Sequence, residues 1–168
     1  MAEAAESSKV TITLPDGSIR DFAGPVTGAE VAADIGPGLA KAALAIKIDG
    51  QLADLSATIS HSVAVEIVTL KSDDETVYDL LRHDAAHVMA EAVQEIYPGT
   101  QITFGPAIEN GFYYDFVRDE PFTPDDLEKI EERMKEIVAR DETIVREVWD
   151  RDEAIRFFNE AGEKYKAE

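Results

Sequence analysis

The composition changes abruptly at Lys71-Ser-Asp-Asp-Glu75, and this change constrains the fold of the 168-residue chain more than any other feature. Residues 1–72 carry 5 basic and 9 acidic side chains, whereas residues 73–168 carry 11 and 26. The net charge is therefore −4 before the change and −15 after it. We expect two small domains, residues 9–71 and residues 72–168, preceded by a flexible start at residues 1–8.

Composition also excludes several classes of protein. The total net charge of −19 argues against a freestanding nucleic-acid binder, which needs cations to hold phosphates. The chain has no cysteine, which excludes a disulfide scaffold and a thiol nucleophile within it. No apolar run approaches the ~18 residues of a membrane helix, and the start lacks the pattern of a signal peptide. We expect a cytoplasmic protein without membrane contacts.

The first domain shows the alternation and the turn signals of a small mixed sheet. Val10-Thr-Ile-Thr-Leu14 alternates as a strand does, and a return strand follows Pro15-Asp-Gly17. Thr27-Gly-Ala-Glu30 is a capping box for a short helix. Asp49-Gly50 predicts a tight hairpin turn, and 63–70 is a β-branched strand. The order β-β-α-β-β-β favours a β-grasp arrangement.

The second domain is predicted to be α+β and to begin with a long helix. A capping box at Ser72-Asp-Asp-Glu75 predicts that this helix starts there and runs to about Tyr97. A hairpin over 101–117 should turn at Asn110-Gly111.

Two more helices and a strand complete the predicted second domain. Thr123 and Pro124 are an N-cap and a first helical residue. Asp150 caps a last helix that stops before Gly162. Between these helices, the β-branched run Thr143–Val148 predicts a strand.

His83-Asp-Ala-Ala-His87 is the strongest candidate for chemistry. Histidines at i and i+4 lie on one face of a helix, so one substrate or one metal can touch both. Because both lie nearly opposite the apolar stripe, they either face solvent or line a cleft. Asp84 stands where the metalloprotease pattern needs a glutamate base, which disfavours a protease.

Two further segments contain candidate residues. In Gly105-Pro-Ala-Ile-Glu-Asn-Gly-Phe-Tyr-Tyr-Asp115, alternate aromatic side chains share a face, and Gly105-Pro106 suggests a close backbone approach. Gly162-Glu-Lys-Tyr-Lys166 places two lysines in an acidic stretch, which is most simply solvated surface.

At these residues the chain resembles the N-terminal part of bacterial threonyl-tRNA synthetases. Ile12-Thr-Leu-Pro-Asp-Gly-Ser18 and Ala33-Asp-Ile-Gly-Pro-Gly-Leu-Ala-Lys-Ala42 resemble the start of the family's TGS domain. The segment from Arg82 to Asp115 resembles its second N-terminal domain. The resemblance begins near residue 9 and continues to the last residue.

The resemblance implies a proofreading role. In that family the second domain is an editing hydrolase that cleaves serine wrongly attached to threonine tRNA. Four residues match the family's editing cleft: His83, His87, Tyr114 and Lys166. The resemblance implies that they bind the ester and the terminal ribose, hold a water and stabilise an oxyanion, without a metal.

The chain also departs from the family pattern. The family cleft is completed by a downstream Cys-x-x-x-His pair, and this chain has no cysteine and no histidine after His87. The motifs for aminoacylation are missing too. We therefore expect an N-terminal fragment with an incomplete editing domain, inactive in ligation and weak or inactive in editing.

The implied partners and cofactors belong to the parent enzyme. It would bind the acceptor end of tRNA(Thr), use ATP and magnesium, hold a zinc ion in its missing catalytic domain and form a homodimer. For the fragment we expect no cofactor and a monomer. Two alternatives stay open: a non-catalytic TGS module that binds RNA or a small ligand, and a metal-dependent hydrolase that uses His83 and His87.

Overall fold

The structure, a computed structural model, describes residues 9–72 and 74–167. The predicted flexible start at residues 1–8 lies outside the described residues, as do Asp73 and Glu168. The chain divides into two compact units, Met1–Val77 and Tyr78–Glu168.

The first unit contains seven strands and two helices among its described residues. The strands are β1 (Val10–Thr13), β2 (Ile19–Phe22), β3 (Val26–Thr27), β4 (Ala43–Ile48), β5 (Gln51–Ala53), β6 (Thr58–Ile59) and β7 (Val63–Thr69). The helices are α1 (Gly28–Ile35) and α2 (Pro37–Ala42). Each predicted element of this unit is present, and β3 and β6 are additional short strands.

Five of these strands form one mixed sheet in the order β2-β1-β7-β4-β5. The pair β1 and β7 is parallel, and the other neighbours are antiparallel. Strands β3 and β6 pair separately. A mixed sheet with a parallel central pair, joined to a helix after the first hairpin, is the predicted β-grasp arrangement.

The core of this unit lies between the sheet and α1. Nine of the described residues form it: Val10, Ile12, Leu14, Val26, Val31, Ile46, Ile59, Val63 and Val65. At the start of α1, a Cβ on Gly28 would lie 2.7 Å from the Ile46 Cδ1 atom. The helix therefore begins as close to β4 as the backbone allows.

Local signals define the ends of the elements in the first unit. Thr27 and Glu30 form the predicted capping box at the start of α1. Asp49 and Gly50 both have positive φ, 48° and 81°, as the tight turn between β4 and β5 requires. Lys47 forms an ion pair with Asp74, which lowers the pKa of this carboxyl group to about 2.

The second unit contains four helices and four short strands among its described residues. The helices are α3 (Glu75–Ile96), which begins in the first unit, α4 (Pro124–Arg140), α5 (Arg151–Glu160) and α6 (Lys164–Ala167). The strands are β8 (Gln101–Ile102), β9 (Ala107–Ile108), β10 (Gly111–Phe112) and β11 (Phe116–Val117).

The cap of α3 differs from the prediction. Its first residue is Glu75, and the Asp74 side chain accepts the Thr76 N–H at 3.0 Å. The Ser72 hydroxyl instead accepts the Thr69 N–H. The Ser72 capping box was therefore wrong, because that serine closes the turn after β7 and leaves the cap to Asp74.

The predicted hairpin forms as two nested strand pairs. β9 pairs with β10 near the turn, and β8 pairs with β11 at the base. Gly111 lies opposite Ile108, so the two turn residues are Glu109 and Asn110. The predicted Asn110-Gly111 turn is thus displaced by one residue, because Gly111 already pairs as the first residue of the return strand.

The predicted strand at Thr143–Val148 is wrong. The segment has no regular secondary structure, and none of its described backbone groups makes a backbone hydrogen bond. Ile144 is 90% exposed and Val148 is 78% exposed. A β-branched run becomes a strand only where another strand pairs with it, and no strand described in this unit does so.

The other predicted helix starts are present. Thr123 and Asp126 form a capping box before α4, and Pro124 is its first residue. Asp150 caps α5 through its side chain. The tyrosine hydroxyl of Tyr97 donates to the Asp126 carboxylate at 2.6 Å and joins the end of α3 to the start of α4.

The core of the second unit is small. Its buried cluster consists of Ala92, Val93, Ile130 and Ile137, contributed by α3 and α4. Phe116 of the hairpin packs against this cluster. Within the described ranges, no helix has both the length and the apolar character needed to cross a membrane.

Candidate functional site

Helix α3 presents the two predicted histidines side by side. The Nε2 atoms of His83 and His87 are 3.0 Å apart, and the rings meet edge to face with centroids at 4.6 Å. Both residues are exposed. Ala92 is buried on the opposite side of α3, as predicted, but Ala86 and Ala90, each three residues after one of the histidines, are also buried and lie beside them. The geometry allows one imidazole to donate a hydrogen bond to the other, which requires that the acceptor nitrogen be unprotonated.

The surroundings of His87 favour its neutral form. Partial burial lowers the pKa of His87 most, and the nearby charges of His83 and Lys166 lower it further, while Asp84 opposes them. A neutral imidazole can accept a proton or hold a water molecule near neutral pH. The pair can therefore bind and orient a polar substrate on this face of α3.

Tyr114 lies in the hairpin between β10 and β11. Its ring stacks on Phe116 at a centroid distance of 4.9 Å. A Cβ on Gly105 would collide with the Tyr114 ring, so the predicted close approach at Gly105 is to this side chain. Burial, followed by the charge of Glu163, raises the pKa of Tyr114. The phenol therefore remains a hydrogen-bond donor across the neutral range.

Lys166 lies on the short helix α6. Its ammonium is 5.9 Å from the centre of the Phe158 ring, and its charge contributes to the lowered pKa of His87. The side chain is exposed, as expected for a solvated surface segment. Its charge nevertheless acts on the face of α3 that carries the histidines.

Two residues that sequence reasoning did not select also belong to this group. Glu163 accepts a hydrogen bond from the Gln94 side-chain amide through Oε1, and its Oε2 is buried without a hydrogen-bond partner among the described residues. Gln94 shares the face of α3 with the histidines. The only sequence signal for Glu163 was its place in Gly162-Glu-Lys-Tyr-Lys166.

The structure thus brings side chains from three elements into one electrostatic neighbourhood. Lys166 acts on His87, and Glu163 acts on Tyr114. A cation, a paired imidazole and a protonated phenol are the groups that an ester hydrolase uses to hold its substrate and stabilise negative charge. Their role as an editing cleft remains a prediction.

The described part of the second unit does not contain a complete set of metal ligands. Across residues 9–72 and 74–167, no group of three or more His, Asp or Glu side chains is arranged to hold a metal ion. His83 and His87 alone supply two ligands, whereas a catalytic zinc site has three protein ligands.

A groove of about 480 Å³ lies elsewhere in the second unit. Val148, Trp149 and Phe157 line it together with charged residues of α5. It contains none of the predicted site residues. The groove does not coincide with the chemistry, and we place the candidate site at the histidine pair.

The comparisons first define the class of the protein. Residues 10–69 match the family described as TGS domain. This match covers the first unit from β1 to the end of β7. The first unit is therefore similar to a TGS domain, and a unit of four helices and four short strands follows it among the described residues.

Similarity over nearly the whole of this chain points to a more specific group of proteins. The chain is 67% identical over 159 residues, 95% of its length, to the threonine–tRNA ligase of Rhodospirillum rubrum. It is equally similar to that of Paramagnetospirillum magneticum and 65% identical to that of Thiobacillus denitrificans, each over 95% of the chain. The resemblance drawn from the sequence motifs is confirmed: the chain is related to a TGS-containing part of threonine–tRNA ligases.

The chain spans about a quarter of the length of these relatives, 24% of the Rhodospirillum enzyme and 25% of the other two. Because the similarity extends over 95% of this chain, it includes both units described above. The relatives are much longer than this chain, so their activity is not assigned to it by similarity alone.

Proposed function

We propose that this chain is the proofreading part of a threonine–tRNA ligase and that, within the complete enzyme, its second unit hydrolyses serine from tRNA(Thr). The observation that carries the proposal is the pair His83 and His87, with Nε2 atoms 3.0 Å apart, in a chain 67% identical to a threonine–tRNA ligase. The charge of Lys166 acts on His87, and that of Glu163 acts on Tyr114. The parent would perform ATP-dependent threonylation with domains outside this chain.

A proofreading reaction is needed because binding energy alone discriminates poorly between serine and threonine. Serine lacks one methyl group of threonine, and one methyl group is worth only about 1–3 kcal/mol of discrimination. A second pocket can admit serine, exclude threonine by steric clash and then hydrolyse the ester. The second unit supplies polar groups for such a pocket.

Each group has a role that suits its environment. The Lys166 ammonium stabilises the oxyanion that forms when water attacks the ester carbonyl. His83 and His87 bind the terminal ribose and hold the attacking water. The Tyr114 phenol, whose pKa is raised, donates a hydrogen bond to substrate oxygen. We assign no general base among them.

The complete parent enzyme would bind the acceptor end of tRNA(Thr) in the cytoplasm. Its catalytic domain would hold the zinc ion and mediate dimer formation. The 168-residue chain by itself is a monomer, needs no cofactor, cannot aminoacylate and has little or no editing activity.

The test uses the protein expressed from the complete gene, together with the 168-residue chain. Seryl-tRNA(Thr) and threonyl-tRNA(Thr) are incubated with each, and the release of amino acid is followed. We expect the complete protein to deacylate the seryl ester selectively. His87→Ala and Lys166→Ala should each slow deacylation by about a hundredfold, the scale of a lost catalytic group, while threonylation continues.

The matched control is Lys135→Ala, which removes an exposed cation of α4 that pairs with Glu131 outside the site. It should leave deacylation unchanged. A complete protein that ligates threonine but spares seryl-tRNA(Thr) would refute the editing proposal. Activity that a chelator abolishes, together with tightly bound zinc at this site, would favour the metal-dependent alternative.

A further inference from the structure

The helix that carries Lys166, α6, is too short to be stable without contacts to other elements. Helix α6 has four residues, and a helix this short is unstable in water without tertiary contacts. Two side chains from other elements hold it. Gln94 of α3 donates to the Glu163 carboxylate, and the Gln101 side chain of β8 accepts the Lys164 N–H at 3.3 Å.

Glu163 connects two parts of this arrangement through different atoms. Its backbone carbonyl accepts the N–H groups of Lys166 and Ala167, each at 3.2 Å. Its side-chain Oε1 accepts from Gln94, two helical turns after His87 on the same helix. One residue therefore joins the backbone of Lys166 to the helix that presents the histidine pair.

The second carboxylate oxygen of Glu163 is buried and has no hydrogen-bond partner among the residues described. A buried acceptor without a partner weakens the fold, so packing alone does not explain a glutamate here. The charge of this group acts on Tyr114. Glu163 thus accepts a hydrogen bond from the backbone of the lysine and acts on the tyrosine of the candidate site.

We propose that Glu163 is a positioning residue: anchored to α3 by Gln94, it fixes the backbone of Lys166 against the helix that carries the histidine pair. The proposal deepens the proposed function, because it explains how the cation reaches the ester, and its first test does not depend on that function. Gln94 is the second member of the same anchor.

The first test is an NMR titration of His87 in the 168-residue chain. Lys166→Met should raise the pKa of His87, because it removes a nearby positive charge. Gln94→Ala should raise it by a similar amount, because it releases Lys166 from its place. Glu163→Ala should also raise it, by a smaller amount, because it releases Lys166 and removes a negative charge as well. In Glu163→Ala combined with Lys166→Met, the rise should not exceed that of Lys166→Met.

The sign of this effect separates positioning from direct electrostatics. Deleting the negative charge of Glu163 would by itself lower the pKa of a neighbouring histidine. A rise therefore reports the displacement of Lys166. Glu163→Gln keeps an amide oxygen that can accept from Gln94, so it should leave the pKa of His87 at or below that of the unchanged protein while lowering the pKa of Tyr114.

The matched control is Glu160→Ala, which removes an exposed carboxylate at the end of α5. It should change neither titration. The thermal midpoint of each variant is measured alongside. Loss of stability in Glu163→Ala with an unchanged His87 titration would overturn the proposal, as would a Lys166→Met variant that leaves His87 unaffected.

The second test uses the complete protein and seryl-tRNA(Thr). Glu163→Ala should lower kcat for deacylation about tenfold with little change in KM, and Glu163→Gln should recover most of it. If the complete protein has no deacylase activity, the proposed function fails while the titration still decides the positioning role. Full deacylase activity in Glu163→Ala would overturn the positioning role alone.

Discussion

The two units of the chain are similar in their local structure and differ in how they bury apolar residues. Helices in both begin with the same Thr-based capping box, at Thr27 and at Thr123. The first unit closes a core of nine buried residues around a five-stranded sheet. The buried cluster of the second unit contains four residues from two helices.

The difference is clearest after α4. Residues 139–153 are exposed throughout, although they include Ile144, Val145, Val148 and Trp149. No exposed segment of this length occurs among the described residues of the first unit. Local hydrogen bonds can therefore define the helices of a unit without providing the long-range contacts that cover its apolar side chains. Five predictions test this contrast.

Ile46→Ala should have the largest effect. Ile46 is fully buried in β4, and truncation of a buried isoleucine costs about 3–5 kcal/mol when the cavity cannot collapse. The measurement is urea unfolding, with hydrogen exchange to assign the loss to the first unit. Leu44→Ala, at a partly exposed position of the same strand, should cost much less. Equal losses would mean that this core is not closely packed.

Ile130→Ala should cost less than Ile46→Ala, about 2 kcal/mol, the lower end for such a truncation. Ile130 is 5% exposed and belongs to the smaller cluster, whose neighbours can relax into the space. The same unfolding and exchange experiments apply to the second unit. A loss as large as that of Ile46→Ala would contradict the contrast between the two cores.

Gly105→Ala should destabilise the second unit by about 1–3 kcal/mol, as overpacking does. A methyl group at residue 105 would collide with the Tyr114 ring. Gly38→Ala is the control, since Gly38 lies inside α2 with open space around it. It should be neutral or stabilising. A Gly105→Ala variant as stable as the original protein would show that the ring moves easily.

Thr27→Ala and Thr123→Ala should each cost about 1 kcal/mol, the usual value of an N-cap. The two capping boxes make the same hydrogen bonds, so their effects should agree even though the units differ in core size. Thermal unfolding with hydrogen exchange of each helix measures both. Thr27→Ser and Thr123→Ser should keep most of the stability. A large difference between the alanine variants would show that caps depend on the surrounding core.

Ile144→Ser should change stability by less than about 0.5 kcal/mol, as surface substitutions do. Its side chain is 90% exposed in a segment without backbone hydrogen bonds. The matched comparison is Ile59→Ser, at a residue 1% exposed in β6, which should be strongly destabilising. A marked loss for Ile144→Ser would show that the segment packs against something in solution.

Much of the first unit was predictable, because its signals are short-range. Alternation in β1, the capping box at Thr27 and the turn at Asp49-Gly50 all act within a few residues. The prediction was wrong where two local signals competed. Ser72 and Asp74 are both residue types that cap helices well. Helix α3 uses Asp74, which also forms an ion pair with Lys47.

The candidate site was predictable as a set of motifs and much less so as a structure. Spacing placed His83 and His87 on one helical face, and alternation placed Tyr113 and Tyr114 on opposite faces. Tyr113 is accordingly 47% exposed while Tyr114 is half-buried. Neither pattern could indicate that Lys166 acts on His87, because that proximity depends on how α6 returns towards α3.

Signals in the sequence were sufficient to predict the starts of α1, α4 and α5, the turn at Asp49-Gly50 and the family that the chain resembles. These properties depend on hydrogen bonds and motifs within a few residues of one another. Only the tertiary structure decided that Gln94 binds Glu163, 69 positions away, and that Thr143–Val148 remains unpaired. Such contacts depend on which distant segments meet, and no local preference specifies that.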